Sequence, residues 1–210
     1  YRLSEEDLSR NTSYDAVAKT KNLKVFSGNE EAFLKSLNQS VILEGVNPST
    51  ISRAAQLCQK TNQFNLTTKR YHIADIKEIE AHKSSNVYTI RVKDCFCDYG
   101  VIGVLILKEH GEDMSVSIDT FLLSCRIIGR KIEHALLNWI KYKFKAKGYG
   151  KIYGLYSRTE KNAVCANIYK ENNFTVVSQG DKDTLYEYSL NKKQKLSSFD
   201  RFIKVKLKKK

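Results

Sequence analysis

Three basic residues surround a glycine where a predicted strand gives way to a predicted helix. The basic residues are Arg126, Arg130 and Lys131, and the glycine is Gly129. Apolar residues then recur with helical spacing, at positions 132, 135, 136, 139, 140 and 144. The N–H groups of a helix's first turn lack partners within the helix, and the helix dipole adds partial positive charge there. The turn is therefore predicted to bind an anion such as a phosphate or pyrophosphate. The alternative is an ordinary strand-to-helix connection, because short motifs also arise by chance.

Cys125 directly precedes Arg126 and is a candidate nucleophile. The neighbouring guanidinium and the helix terminus both favour the thiolate form of a cysteine, which is its reactive form. The alternative is a small cysteine buried in the core. Asp119 lies six residues earlier on the same strand face, about 20 Å away at ~3.3 Å per residue. It therefore cannot act as a direct base for Cys125.

Neutral hydrogen-bonding side chains cluster around the end of a predicted helix at 49–63. They are Asn62, Gln63, Asn65, Thr67 and Thr68, with Arg70 close behind. Loops on a folded scaffold commonly bind ligands, so this loop is predicted to line a substrate cleft. The alternative is that its side chains only cap the helix.

A mixed α/β fold is needed to position these residues. Helical periodicity predicts helices at 4–20, 28–37, 49–63, 73–83, 130–147 and 162–172. Apolar and β-branched runs predict strands at 41–43, 87–92, 101–107, 115–125, 151–156, 174–178 and 184–190. The run 101–107 is apolar on both faces, which favours the centre of a sheet. This order of elements predicts a mixed central sheet with flanking helices.

The composition is that of a soluble globular protein, with 41% hydrophobic and 28% charged residues. No apolar run approaches the roughly 18 residues that a membrane-spanning helix needs, so no membrane association is expected. The five cysteines are an odd number without secretory features, which favours reduced thiols and a cytoplasmic location. Cys95 and Cys97 have no second Cys or His pair at a ligand spacing, so no metal is expected.

The chain is predicted to divide into a linker helix (1–25), a folded domain (26–190) and a basic tail (191–210). The tail contains nine Lys or Arg residues and one Asp, and so carries eight of the thirteen net positive charges. Its apolar residues predict a final strand, and its last lysines are expected to be solvated. Binding of nucleic acid or an anionic membrane is the less favoured alternative. Because the chain opens on Tyr1, we expect it to be a fragment.

The basic turn resembles the Arg/Gln-x-x-Gly-x-Gly/Ala loop of GCN5-related N-acetyltransferases (GNATs). That loop holds the pyrophosphate of coenzyme A or phosphopantetheine. Arg126 and Gly129 match it, whereas Lys131 stands where the family has Gly or Ala. In this family the acyl thioester lies in a gap between two splayed central strands.

The segment 162–174 resembles a second GNAT motif, the helix Asn-x-x-Ala-x-x-x-Tyr-x-Lys-x-Gly-Phe. Asn162, Tyr169 and Phe174 match, while Cys165 and Asn173 replace the Ala and the Gly. The resemblance implies that the tyrosine is the general acid that protonates the departing thiolate. The alternative is a tyrosine that only packs in the core.

The run 55–71, which contains Lys-Thr-Asn-Gln-Phe-Asn-Leu-Thr-Thr, resembles FkbH-like proteins of the HAD superfamily (subfamily IIIC). Residues 99–107 and 118–126 resemble them as well, and the resemblance covers roughly residues 24 to 178. Those proteins join a phosphatase-like domain to a C-terminal GNAT-like domain, and the chain resembles the second. The phosphatase motif is missing here, so no phosphatase activity is expected, and an upstream HAD domain is an expected partner.

The resemblance implies an acyltransferase that uses an acyl-CoA or an acyl carrier protein thioester. The acyl group would be of acetyl or glyceryl type, and the acceptor an amine or a thiol, on a small molecule or a carrier protein. The alternative is an inactive GNAT-like module that docks a carrier protein for an HAD partner.

The candidate roles, from the residues and from the resemblance together, fall on three sets of residues. Catalysis is assigned to Tyr169 and Cys125. Cofactor binding is assigned to Leu123, Ser124, Arg126, Gly129, Arg130, Lys131 and Asn162. Substrate binding is assigned to Asn62, Gln63, Asn65, Thr67, Thr68, Arg70 and Asp119.

Overall fold

A computed structural model of the protein describes residues 5–191 and 198–208. The helices are α1 (Glu5–Phe26), α2 (Glu30–Leu37), α3 (Ile51–Lys60), α4 (Ile73–Ala81), α5 (Ile132–Ala146) and α6 (Ile168–Glu171). The strands are β1 (Gln39–Gly45), β2 (Phe64–Asn65), β3 (Ser85–Lys93), β4 (Asp98–His110), β5 (Ser115–Leu123), β6 (Lys151–Ser157), β7 (Thr175–Gln179), β8 (Asp183–Ser189) and β9 (Ile203–Lys208).

All nine of these strands belong to one sheet, in the order β7-β8-β6-β5-β4-β3-β1-β9, with β2 paired to β5. The pairs β5–β6 and β1–β9 are parallel, and the remaining pairs are antiparallel. The predicted mixed sheet with flanking helices is confirmed. The strand β4 is central, because its apolar residues are buried on both faces.

Helices cover both faces of this sheet. The helix α5 buries Ile132, Leu136 and Ile140 in the larger core cluster on one face. On the other face α3 and α4 form a second cluster, in which Leu57 and Ile76 pack with residues of β3, β4 and β5. The helices α3, α4 and α5 place their apolar stripes against the sheet.

The strands β5 and β6 pair over only part of their length, Ser115–Ile118 with Lys151–Gly154. Beyond this point the chain's own residues 64–66 lie between them. Phe64 and Asn65 pair with the end of β5. The next residue, Leu66, donates its N–H to the Phe121 carbonyl (3.2 Å) and accepts a hydrogen bond from the Ser157 N–H (2.8 Å). We call residues 64–66 the bridging segment.

Three elements differ from the sequence expectation or extend it. The helix predicted at 4–20 continues to Phe26. The helix predicted at 162–172 is wrong, since it is split into a 3₁₀ turn (Ala163–Cys165) and the four-residue α6. Asn167 lies at the break between the two pieces, and asparagine has a low helix propensity. The predicted final strand is confirmed as β9, whereas residues 192–197 of the tail lie outside the described residues.

No helix within the described ranges has both the length and the apolar character that crossing a membrane requires.

Candidate functional site

A pocket of about 340 Å³ opens at the end of β5. The strand ends at Leu123, and the Ser124 N–H donates to the Ile102 carbonyl (2.7 Å), which directs the chain into a 3₁₀ turn at Cys125–Ile127. The pocket is lined by residues of α1, of α3 and the loop after it, and of this turn. They are Tyr14, Arg53, Gln56, Leu57, Lys60, residues 61–63, Ser124, Cys125 and Arg126.

The electrostatics of this pocket favour an anionic ligand. Arg53, Lys60 and Arg126 line it, and none of the described lining residues is acidic. The Cys125 side chain is exposed within the pocket, and Arg126 donates from Nε to the Ser124 hydroxyl (3.3 Å). A thiol surrounded by cations can attack a carbonyl while the positive groups hold a phosphate-bearing donor.

The helix α3 contributes residues that the sequence reasoning missed. Arg53, Gln56 and Lys60 follow one another at i, i+3 and i+7, so they share the polar face of α3. The opposite face is the buried one. The sequence spacing indicates a shared polar helix face. The packing of α3 against β4 is what places this face beside Cys125.

Arg130 does not lie where the resemblance placed it. Its side chain is buried and forms an ion pair with Asp94 (2.5 Å), and it donates to the hydroxyls of Tyr99 (2.8 Å) and Thr20 (3.0 Å). It therefore ties α1 to the sheet, and its guanidinium is not turned toward an external phosphate. The physical reason is Asp94, a buried carboxylate that needs a charged partner.

The predicted turn between β5 and α5 is present, but two of its three basic side chains do not point into the pocket. Gly129 has a φ of +83°, and Lys131, at +60°, occupies the left-handed region before α5 begins. The ammonium of Lys131 lies 3.5 Å from Glu30 and over the ring of Phe199. Among the three predicted anion-binding side chains of this turn, Arg126 is the one that reaches the pocket.

The gap between β5 and β6, where the resemblance places a thioester, contains the bridging segment. Asn162 is fully buried and donates to the carbonyls of Asn65 (3.0 Å) and Ser157 (2.9 Å). The Asn65 side chain donates to the Thr61 carbonyl (3.2 Å) and accepts from the Thr68 N–H (3.0 Å). Both asparagines thus hold the segment in place, and neither presents its amide to an external ligand.

A charged cluster lies at Asp119, beside this segment. The buried Asp119 carboxylate accepts hydrogen bonds from Lys69 (2.7 Å) and Tyr71 (2.8 Å). The backbone carbonyl of Asp119 accepts one from the Thr67 hydroxyl (2.9 Å). Lys108 forms a second ion pair with it (2.9 Å). Burial by itself would raise the pKa of Asp119, but these hydrogen bonds and ion pairs lower it below its ordinary value.

Lys69, Tyr71 and Lys108 were not predicted as site residues. Two of them are close in sequence to the predicted loop, whereas Lys108 reaches Asp119 only because β4 pairs with β5. The predicted Thr68 adopts a φ of +55°, a strained conformation for a β-branched residue that is typical of functional loops.

The predicted substrate residues do not lie together in one place. Asn62 and Gln63 line the Cys125 pocket. Arg70 instead caps the end of α3, since it donates to the carbonyls of Cys58 (2.7 Å), Gln59 (3.0 Å) and Thr61 (3.0 Å), and to the Asn62 side chain. For Arg70 the structure agrees with the capping alternative.

Tyr169 lies in the core between the sheet and α6. It is 0% exposed, its hydroxyl has no hydrogen-bond partner among the described residues, and burial raises its pKa. Its ring packs on Phe174 (5.0 Å) and Tyr186 (5.2 Å) and against Gly154, where an added Cβ would lie 2.3 Å from the ring. Only glycine fits opposite this ring, so Tyr169 occupies a fixed position near the gap. Its role as an acid stays a prediction.

Solved acetyltransferases have this architecture. A putative GNAT acetyltransferase from Desulfovibrio desulfuricans superposes with a TM-score of 0.56 at 13% identity, over 71% of this chain and 99% of that one. A GNAT acetyltransferase from Staphylococcus aureus gives 0.55 at 14% identity, over 72% and 99%. The fold is that of the GNAT acetyltransferases.

A third structure, the ribosomal-protein-S18-alanine N-acetyltransferase from Escherichia coli, gives a TM-score of 0.54 at 8% identity, over 73% of this chain and 96% of that one. No family model matches the sequence, and no curated protein matches it. At these identities the likeness concerns the fold, and the FkbH-like assignment stays a prediction.

Within residues 5–191 and 198–208, no three His, Cys, Asp or Glu side chains are grouped in a way that could hold a metal ion.

Proposed function

We propose that the protein is an acyltransferase in which Cys125 accepts an acyl group from a thioester of coenzyme A or of an acyl carrier protein. The observation that supports this most is the exposed Cys125 thiol inside a pocket lined by three cations. The Cys125 thiolate attacks the thioester carbonyl, a new C–S bond forms, and the donor thiolate leaves and takes up a proton. An amine or thiol acceptor then attacks the acyl-enzyme and releases Cys125.

The pocket residues have separate tasks in this scheme. Arg126 and Arg53 present planar guanidinium groups, which suit the phosphate oxygens of coenzyme A or phosphopantetheine. Lys60 adds charge at the exposed rim. Asn62 and Gln63 supply neutral donors and acceptors that can orient the acyl group. Loading through this pocket avoids the gap between β5 and β6, which the bridging segment fills.

For direct transfer from a donor thioester in the gap between β5 and β6, the route that the resemblance implies, Tyr169 is the proposed acid for the donor thiolate. Its hydroxyl is buried and has no partner among the described residues, as a donor held ready for a departing thiolate would be. A thioester could reach it only if the bridging segment moved out of the gap. The acyl group, of acetyl or glyceryl type, and an HAD-type partner domain belong to this proposal as well.

The filled gap favours a second candidate, an inactive GNAT-like module that docks an acyl carrier protein. Asn162 and Arg130, two residues assigned to the cofactor, are occupied with internal hydrogen bonds. In this case Cys125 would not be acylated.

Intact-protein mass spectrometry distinguishes the two candidates. The protein is incubated with acetyl-CoA, or with acetyl-loaded holo acyl carrier protein, and the adduct is located by peptide mapping. We expect one acetyl group on the wild type and on Cys95→Ser, which removes another exposed thiol, but none on Cys125→Ser. If no adduct forms while holo carrier protein binds in calorimetry, the docking module is the correct function. Binding of coenzyme A at micromolar strength, about −8 kcal/mol, should be lost in Arg126→Glu.

A further inference from the structure

Basic residues of β3 and β9, the two neighbours of β1, align on one face at the β9 edge of the sheet. In the observed register Lys204 lies beside Ser40, which lies beside Lys93. In the next row on the same face, Lys206 lies beside Ile42, which lies beside Arg91. Lys208 extends the series along β9. We call the surface of these five basic residues (Arg91, Lys93, Lys204, Lys206, Lys208) the basic sheet face.

This surface is open and positive. All five basic residues are exposed. Two carboxylates accompany them: Asp98 pairs with Arg91 (3.1 Å) and Glu44 with Lys208 (2.8 Å). Within the described parts of the chain, Lys204 and Lys206 form no ion pair, so the face keeps a net positive charge.

The basic sheet face continues toward the Cys125 pocket. Arg91 pairs with Val101 of β4, and the Val101 carbonyl accepts a hydrogen bond from Nε of Arg53 (3.3 Å), a pocket residue. Three strand spacings separate β9 from β4, about 14 Å at ~4.8 Å per strand. Arg91 thus lies one strand away from a backbone carbonyl that a residue of the Cys125 pocket contacts.

We propose that the basic sheet face docks an acidic protein that presents its thioester to Cys125. An acidic carrier protein is favoured over a nucleic acid because none of the described positions on the basic sheet face is aromatic, so the face offers bases no stacking platform. This inference rests on the proposed function, since the acylation of Cys125 gives the docked protein its role.

Charge reversal tests the docking surface. In the test variant Lys93→Glu, Lys204→Glu and Lys206→Glu are combined; in the control variant Lys83→Glu, Lys145→Glu and Lys182→Glu change the net charge equally at other exposed positions. Acyl transfer to Cys125 is measured with acetyl-loaded holo carrier protein and with acetyl-CoA, after circular dichroism confirms folding.

The test variant should raise KM for the carrier substrate at least about tenfold, and low salt should increase the difference from wild type. KM for acetyl-CoA should stay unchanged, and so should both values in the control variant. Equal carrier KM values in the two variants would overturn the proposal.

Binding can also be measured without turnover, by calorimetric titration of holo carrier protein into the Cys125→Ser protein. Charge-dependent binding there supports the docking surface even if Cys125 accepts no acyl group and the proposed function fails. Charge-dependent binding of single-stranded oligothymidylate, without binding of the carrier, would instead overturn the proposal in favour of a nucleic acid.

Discussion

Replacing Tyr169 with phenylalanine should stabilise the protein and, if this residue is the acid, slow the reaction. The Tyr169 hydroxyl is fully buried without a partner among the described residues, and such a group costs about 1–3 kcal/mol. Removing one oxygen leaves a void on the order of 10 Å³, which costs about 0.3 kcal/mol. The net expectation is a gain of about 1–2 kcal/mol in the free energy of unfolding, with a loss of about 10²–10⁴-fold in acyl transfer.

Tyr156 provides the matched control. It is also a buried tyrosine on the same side of the sheet, but its hydroxyl donates to the Asn162 side chain (3.1 Å). Tyr156→Phe removes the same atom from a satisfied position and should cost about 0.5–1.5 kcal/mol. The two substitutions are therefore expected to change stability in opposite directions.

Urea denaturation, followed by circular dichroism, measures both changes through the midpoint. For a chain of this size, 1 kcal/mol corresponds to a shift in Tm of about 2–4 °C. A loss of stability in Tyr169→Phe as large as that in Tyr156→Phe would refute the reasoning, because it would show that the Tyr169 hydroxyl has a partner. Unchanged acyl transfer would remove Tyr169 as the acid.

Three further predictions concern stability. Asp94→Ala leaves the buried Arg130 without its partner and should cost about 3–5 kcal/mol, whereas Asp94→Ala combined with Arg130→Met should cost less than the two single changes together, as measured by urea denaturation. Thr68→Gly relieves a left-handed conformation and should add about 1 kcal/mol in the same assay; a loss would show that the threonine side chain is needed. Burial raises the pKa of Glu133 to about 7, above its unfolded value. Its protonated form therefore contributes stability that is fully present below about pH 4 and is lost as the pH rises through 7. Glu133→Gln should match the wild type at pH 4 and exceed it by about 3 kcal/mol above pH 7, and a pH-independent difference would contradict this.

Much of the fold was predictable because it depends on local patterns. Apolar and β-branched runs identified the main strands, and the helical spacing from 132 to 144 identified α5. The predicted strand-to-helix turn is present as well, and the structure places its Gly129 and Lys131 in the left-handed region. The helix prediction failed where helix propensity is weak, in the asparagine-rich segment that forms a 3₁₀ turn and the short α6.

The candidate site was predictable only in part. The sequence identified Cys125 and Arg126 through their place at a strand end, and the pocket there contains both. It could not reveal that Arg130 turns inward, because its partner Asp94 lies 36 residues away in sequence. The sequence also could not reveal that Arg53 lines the pocket, because this depends on how α3 packs on β4.

The order and spacing of the residues set the periodicities, and with them the predicted mixed sheet, its flanking helices and the strand-to-helix turn that carries Cys125. These features follow from interactions between residues close in the chain, which composition and spacing record directly. Which polar groups remain available to a ligand depends instead on the tertiary fold. It placed residues 64–66 in the gap between β5 and β6, and it aligned cations of β3 and β9 on one face. Both outcomes depend on strand register between distant segments, which is set by the packing of the whole core.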